Sequence, residues 1–471
     1  MASRKSDLYI PKVIEEREYR GYWWLPEDEG RKLSGTLTVT KGVVKLELLE
    51  DFGHQLISET DTEKTYSLSL EERPRILGIS TDGKWITLEG HHGASTVKRF
   101  PGIPTSIYRR AAAFIGAHFE PGEEVGFNEI AIEASDLNAW TQVSGFGVQI
   151  GFEKHEEKDY DVVSRIGVTF EPPDDIEIPL ARGERAFIRF HAPGEGLGGG
   201  TDHVTLRQEA ALHLRFARRA SFEHVVERVG QLRNFLSLAV GRPVAITTVT
   251  GYQDDLVDKR GASVPIELLW KIPHNPDPPK RRRMPREMLF TLPEAQPDIA
   301  RVMRAWLAKQ ERLEPVFNLF FGSRYHPDLT IDVRFLLHAQ AADTYDYRWR
   351  RKPGKDFVTR IGNLLDRCNT VSKKIVGPSP ADRQAFIEAV KVARNYYTHY
   401  NPKLEGKAAR GGALYLLLVQ MQAILEMALL RELRFPARTI DEILERVERY
   451  AEIEHFKGVM AEEQDAERRH L

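Results

Sequence analysis

The chain carries a single cysteine, Cys368, in 471 residues. One thiol excludes an internal disulfide and points to a reducing compartment. Net charge is nearly absent too, at −2, so the molecule as a whole is no electrostatic trap for nucleic acid, and any such contact must come from local patches. The sequence contains no H-E-x-x-H, no paired C-x-x-C and no G-x-S-x-G. Zinc hydrolysis and serine-hydrolase chemistry therefore have no motif, and neither a metal nor a cofactor is expected. The opening residues Met1-Ala2-Ser3-Arg4-Lys5-Ser6-Asp7 lack the apolar segment of a signal peptide. Long apolar runs are missing except from Ala413 through Leu430, and that run contains Gln420, Gln422 and Glu426. Polar groups at that density predict a central bundle helix instead of a membrane span. A cytoplasmic protein without membrane contact is the expectation.

Apolar content of 41% and aromatic content of 9% are ordinary for a globular chain, and the length suits two or three domains. The first half reads as short strands: Leu33–Thr40, Val43–Leu49, Trp85–Leu88, Gly145–Phe152, Val162–Phe170 and Ala186–His191. Asp82-Gly83 marks a hairpin, and a short helical insert is expected over Tyr108–His118. Val204–Phe216 reads as a last long strand, followed by an amphipathic helix Phe222–Val240 and short strands near Val244–Thr250 and Pro265–Trp270. From Ile299 the pattern turns helical: Ile299–Gln310, Ile331–Trp349, Lys355–Lys374, Pro380–His399, Ala413–Leu433 and Ile440–Phe456. The fold class is α+β and multidomain: an antiparallel β-sandwich or barrel-like domain over 1–203, a mixed connecting subdomain over 204–298, an all-α bundle over 299–457 and a charged tail over 458–471.

Two glycine-rich stretches fail as nucleotide sites. Gly78 to Trp85 has the spacing of a phosphate loop, but Trp85 replaces the magnesium-binding hydroxyl and a strand follows. Gly194 to Gly199 fits G-x-G-x-x-G without a surrounding βαβ unit.

The chemistry concentrates at Arg394-Asn395-Tyr396-Tyr397-Thr398-His399. A guanidinium holds phosphate oxygens in a rigid fork. An imidazole moves protons near neutral pH. An amide orients either group or donates to a developing oxyanion. Together they suit transesterification of RNA by its own 2′-hydroxyl, giving a 2′,3′-cyclic phosphate and a 5′-hydroxyl. The helix carrying them has Ser379 as N-cap and Pro380 at its first position, and Asn401-Pro402 is expected to loosen its end. Phe386, Val390, Ala393 and Tyr397 form the stripe turned to the core, leaving Asn395 and His399 on the other side. Arg394 is about 100° from Asn395 around the axis and must reach round. A second R-x4-H, Arg219 to His224, lacks the adjacent amide and the helix-end placement and is read as surface charge.

Tyr396 and Tyr400 in and beside the motif, and Arg348, Arg350, Arg351 and Lys352 near Tyr345, Tyr347 and Trp349, are the candidate RNA-binding residues. Their logic is base stacking on aromatics with cations along phosphates. Lys280-Arg281-Arg282-Arg283 is a second basic run, readable equally as a solvated linker. His338 reads as a packed histidine and Cys368 as a small buried hydrophobe.

Arg394, Asn395 and His399, set in a helical segment, resemble the HEPN superfamily. Gly21-Tyr22-Trp23-Trp24-Leu25-Pro26 with Leu33-Ser34-Gly35-Thr36-Leu37 is similar to the start of the ApeA N-terminal domain, which precedes a HEPN domain in bacterial anti-phage proteins. The resemblance implies an endoribonuclease that cuts RNA, tRNA as the implied class, in abortive defence. It also implies catalysis by Arg394, Asn395 and His399, paired across a homodimer or higher homo-oligomer, with a phage-derived trigger. The alternative is a non-catalytic HEPN-like bundle that binds RNA or a partner, with the β-domain as sensor. A carbohydrate- or peptide-binding β-domain with Trp23, Trp24 and Trp85 along a groove is a third reading.

Overall fold

Strands that alternate inward apolar and outward polar residues assemble into one antiparallel sheet in the N-terminal half of the chain. In this computed structural model the described residues are 16–52, 56–59, 64–66, 75–97, 103, 105–154, 160–192, 198–199, 204–296, 298–349, 354–447, 450–451, 453 and 455–458. They form two units. The first holds 1–135, 147–229 and 245–281, and the second 136–146, 230–244 and 282–471.

The first unit is built on a fourteen-stranded sheet. From one edge its order is Ile176–Pro179, Arg185–His191, Glu209–Ser221, Gly126–Ala134, Ile246–Tyr252, Ile266–Trp270, Ala112–Ile115, Trp85–Glu89, Arg75–Ser80, Arg17–Leu25, Asp28–Thr40, Val43–Leu48, Thr105–Arg110 and Gly93–Val97. Period-two alternation turns Tyr19, Trp23, Leu37, Val39, Leu46, Ile76, Ile86, Leu88, Tyr108 and Ala113 into one buried cluster. The sheet therefore curls around that core as a barrel does. The curl brings the Lys41-Gly42 turn against Trp270, where a Cβ on Gly42 (φ 77°) would overlap the Trp270 carbonyl oxygen. Trp23 belongs to this core, Trp24 is buried as well and Trp85 is exposed, so the three tryptophans do not line one groove. Asp82-Gly83 is the turn of the hairpin Arg75–Ser80 and Trp85–Glu89, with Gly83 at φ 81°.

Two expectations change here. The stretch Tyr108–His118 is not helical: it supplies the strands Thr105–Arg110 and Ala112–Ile115, each paired to strands from elsewhere in the sequence. Sheet pairing with Val44–Leu48, Ile86–Glu89 and Glu267–Trp270 overrides the local helix preference of its alanines. The stretch 204–298, expected to connect two domains, instead contributes Glu209–Ser221, Ile246–Tyr252 and Ile266–Trp270 to the sheet. The helix Phe222–Val240 follows the predicted span.

The second unit is helical: Ile299–Ala308, Gln310–Tyr325, Ile331–Trp349, Phe357–Arg367, Asn369–Ile375, Pro380–His399, Gly411–Glu432 and Ala437–Arg446. Among the described residues one helix is long and apolar enough to cross a membrane, Gly411–Glu432, and its most apolar window is 72% buried. Its polar residues have partners inside the bundle. Glu426 is fully buried against Arg324 and accepts the Tyr450 hydroxyl at 2.6 Å. Glu432 accepts from Lys309 at 2.6 Å and from the Tyr345 hydroxyl at 2.7 Å, and Gln420 donates to the Ile375 carbonyl at 3.0 Å. Charges matched in this way identify a core helix.

Candidate active site

The helix Pro380–His399 is fixed at its start and stopped at its end by local chemistry. The Ser379 hydroxyl accepts from the Asp382 N–H at 3.1 Å while the Asp382 carboxylate accepts from the Ser379 N–H at 3.0 Å, a capping box with Pro380 at the first position. His399 is the last helical residue. Tyr400 turns left-handed at φ 47°, and Asn401, ahead of Pro402, is extended.

Packing decides which motif side chains reach solvent. Phe386, Ile387, Val390, Ala393 and Tyr396 are buried. Tyr397, expected in the stripe, is half-buried and donates its hydroxyl to the Ala409 carbonyl at 2.9 Å. Tyr396, expected to bind RNA, is a correction: it is 9% exposed and its hydroxyl accepts from Arg410 at 3.0 Å. Positions three and four after Ala393 both lie within about 60° of it around the axis. The loop after the helix, carrying Arg410, closes over the first of them.

Arg394 and Asn395 are half-buried, and His399 and Tyr400 are exposed. Arg394 does reach round: its Nη1 donates to Asn395 Oδ1 at 3.0 Å, and its guanidinium lies 5.4 Å from the centre of the Phe357 ring. The cation is thus held from two sides, by an amide oxygen and an aromatic face. His399 makes no hydrogen bond or ion pair among the described residues, so its ring is open to a substrate or a second chain. Beside it the Tyr400 hydroxyl donates to Asp332 at 3.3 Å. The Asp332 carboxyl is held below the usual carboxylate range, chiefly by a hydrogen bond from Thr330. Arg410 pairs with Glu405 at 3.0 Å. Phe357, Asp332 and Arg410 were not found from sequence, because each comes from outside the motif helix and none has a local signature.

Of the expected cationic track, the one described residue, Arg348, does not lie at this site. Arg348 is exposed, but it sits on the helix Ile331–Trp349 about 24 Å along the axis from Asp332, the residue that Tyr400 touches. Arg350, Arg351 and Lys352 lie outside the described residues. Other cations of that patch have structural partners: Arg360 pairs with Asp343, and Lys374 with Glu445 at 2.8 Å. Arg367 donates to the Tyr345 hydroxyl at 2.7 Å, pairs with Glu432 and stacks 3.8 Å from the ring centre of half-buried Trp349. In the basic run before the bundle, Arg283 is anchored, its N–H donating to Asp136 at 3.0 Å and its guanidinium to the Glu287 carbonyl.

The remaining candidates fall into place as structure. Arg219, of the second R-x4-H, lies on a strand and pairs with Glu123 and Asp255. His338 is 3% exposed, donates from Nδ1 to the Arg334 carbonyl at 2.8 Å and is pushed down to about 4 by burial. Burial pushes the Cys368 thiol up to about 11, which leaves it unreactive. Among the described residues one group has the donors for a metal ion, Glu133, His191 and Glu209 on the sheet of the first unit, and Arg207 already sits 3.3 Å from Glu209.

Comparison with known families finds two matches. Residues 18–306 match the family described as ApeA N-terminal domain 1, more than half of the chain, and residues 337–439 match the Apea-like HEPN family. The chain belongs to the ApeA family and carries an ApeA-like HEPN domain, with Arg394, Asn395 and His399 inside the matched stretch. No curated protein and no solved structure matches it.

Proposed function

We propose that this ApeA-family chain is a metal-independent endoribonuclease that cuts RNA, tRNA first among its classes, in the cytoplasm as part of abortive anti-phage defence. One observation carries the reading: Arg394 and Asn395 are hydrogen-bonded to each other one turn before His399, which ends its helix with an exposed imidazole that engages no partner among the described residues. Arg394 binds the scissile phosphate and offsets the charge that develops on it. His399 takes the proton from the ribose 2′-hydroxyl or delivers one to the departing 5′-oxygen, and Asn395 keeps the guanidinium in place. The 2′-oxygen bonds to phosphorus as the phosphorus–5′-oxygen bond breaks. The products are a 2′,3′-cyclic phosphate and a 5′-hydroxyl.

One chain supplies a single imidazole, whereas this reaction uses both a base and an acid. A homodimer, or a higher homo-oligomer, supplies the second set across a two-fold axis. The β-rich unit then has the role of a sensor for a phage-derived trigger. The test is to incubate wild type and His399→Ala with bacterial tRNA in EDTA and to identify the fragment ends. Cyclic-phosphate fragments from wild type, lowered roughly 10²- to 10⁴-fold in rate by the substitution, are the expected result. Full activity of His399→Ala would overturn the assignment. Tight RNA binding without turnover by the triggered protein would favour the binding-only alternative.

A further inference from the structure

The described residues leave nineteen large hydrophobic side chains exposed, and eight of them sit between positions 148 and 168. All but Tyr160 belong to a two-stranded ribbon, Phe146–Lys154 and Asp161–Phe170. Its glycines report its register. A Cβ on Gly147 would stand 2.7 Å from Thr169 Oγ1, one on Gly151 3.4 Å from the Arg165 Cβ, and one on Gly167 3.8 Å from the Gln149 Cβ. The strands are therefore antiparallel, and one residue further on Val148 lies opposite Val168 and Ile150 opposite Ile166.

Alternation then separates two unlike faces. One carries Gly147, Gln149, Gly151, Glu153, Val163, Arg165, Gly167 and Thr169. The other carries Val148 (62% exposed), Ile150 (51%), Phe152 (59%), Val162 (37%), Ile166 (66%) and Val168 (57%), with Ser164 among them. An isolated two-stranded ribbon is marginal in water, and a contiguous apolar face of this kind is unfavourable when left wet.

We propose that this face is a self-association surface on which the same ribbon of a second copy packs, apolar face to apolar face, about a two-fold axis. Area, charge and symmetry support this occupant. The six side chains expose on the order of 600 Å² per copy, so a pair buries about 1,200 Å², the lower bound of a specific interface. Lys154 stands at one end of the face, opposite Val162, but between Val148 and Phe152 and between Val162 and Val168 no charged residue lies on it, so a second copy brings no like charge against its centre. The cross-strand pairs Val148/Val168 and Ile150/Ile166 match like with like, so a two-fold rotation sets each row on its equivalent. The inference is independent of whether the HEPN motif cleaves RNA.

The lone native thiol makes the test specific, since Cys368 is fully buried. Full-length Ile150→Cys treated with a short bis-maleimide is expected to run as a covalent dimer. Gln149→Cys, on the glycine face, is expected to stay monomeric on a denaturing gel. Adding Ile166→Glu to Ile150→Cys is expected to abolish the covalent dimer, and position 166 is exposed enough in the single chain to accept the charge. Failure of Ile150→Cys to cross-link, equal cross-linking by Gln149→Cys, or cross-linking of Ile150→Cys in cells to a different protein would each overturn the proposal. A dimer held only through the motif helices gives no cross-link at this ribbon, so the two interfaces are told apart.

Discussion

Truncating Asn395 tests whether it works through Arg394 or on the substrate itself. Asn395→Ala removes the oxygen that accepts from Arg394 Nη1 at 3.0 Å. A hydrogen bond to a charged group contributes about 1.5–3 kcal/mol net. At about 1.4 kcal/mol per factor of ten, the full loss lowers kcat/KM roughly 10- to 150-fold. The Phe357 ring still lies under the guanidinium, 5.4 Å from its centre, so the loss should stay below that of His399→Ala. Asn395→Asp sharpens the argument. It keeps an acceptor in place but sets a negative charge beside the cation proposed to bind phosphate, so it should be slower than Asn395→Ala although Arg394 is held at least as firmly. The assay is single-turnover cleavage of one tRNA across substrate concentrations. A phosphate held equally in ground and transition states appears as a raised KM, one held only in the transition state as a lowered kcat. Thermal unfolding of the same variants should show one cooperative transition, so that the loss of rate is not loss of fold. Wild-type rates for Asn395→Ala would refute the positioning role. A loss as large as that of His399→Ala would instead mean that the amide touches the reacting atoms.

Two further predictions concern the bundle. Glu426→Leu leaves Arg324, whose side chain is 8% exposed, without its carboxylate, and should cost about 3–5 kcal/mol, seen as a clear fall in Tm, with most of it restored by Arg324→Met in the same chain; an unchanged Tm for the single variant would show that the pair is not buried as described. His338 is protonated in the unfolded chain below about pH 6.5 but only near 4 in the fold. The unfolded state therefore binds more protons between those values, and stability falls as pH drops through that window, by up to about 3 kcal/mol. Urea midpoints at pH 7 and near pH 4.5 should show a smaller acid loss for His338→Leu than for wild type, and equal losses would exclude His338 as the cause.

Local signals were legible in the sequence, and long-range pairings were not. The spans Ile331–Trp349, Pro380–His399 and Phe222–Val240 were readable because period, caps and breakers are written within a few residues of one another. The motif was readable for the same reason, since Arg394, Asn395 and His399 share one helix and Pro402 marks its end. Gln310–Tyr325 went unpredicted because Pro315 lies inside it, and a proline argues against a helix wherever packing is unknown. The strands Thr105–Arg110 and Ala112–Ile115 were hidden because one partner of each, Val43–Leu48 and Ile266–Trp270, is far away in the chain. The tyrosines mark the boundary between the two kinds of signal. Helical geometry placed Tyr396 and Tyr397 almost equally near the core stripe, and only the contact from Arg410, fourteen residues on, buries the first. Cations of the basic patch carry the same lesson. Arg360 and Arg367 look available until Asp343 and Glu432 are brought to them by the fold. A charge can be counted in sequence, but whether it is free to meet a phosphate depends on partners that only tertiary structure supplies. Arg394 is the informative case: its hydrogen-bonding partner, Asn395, is its own neighbour, so the two groups already stand side by side in the sequence.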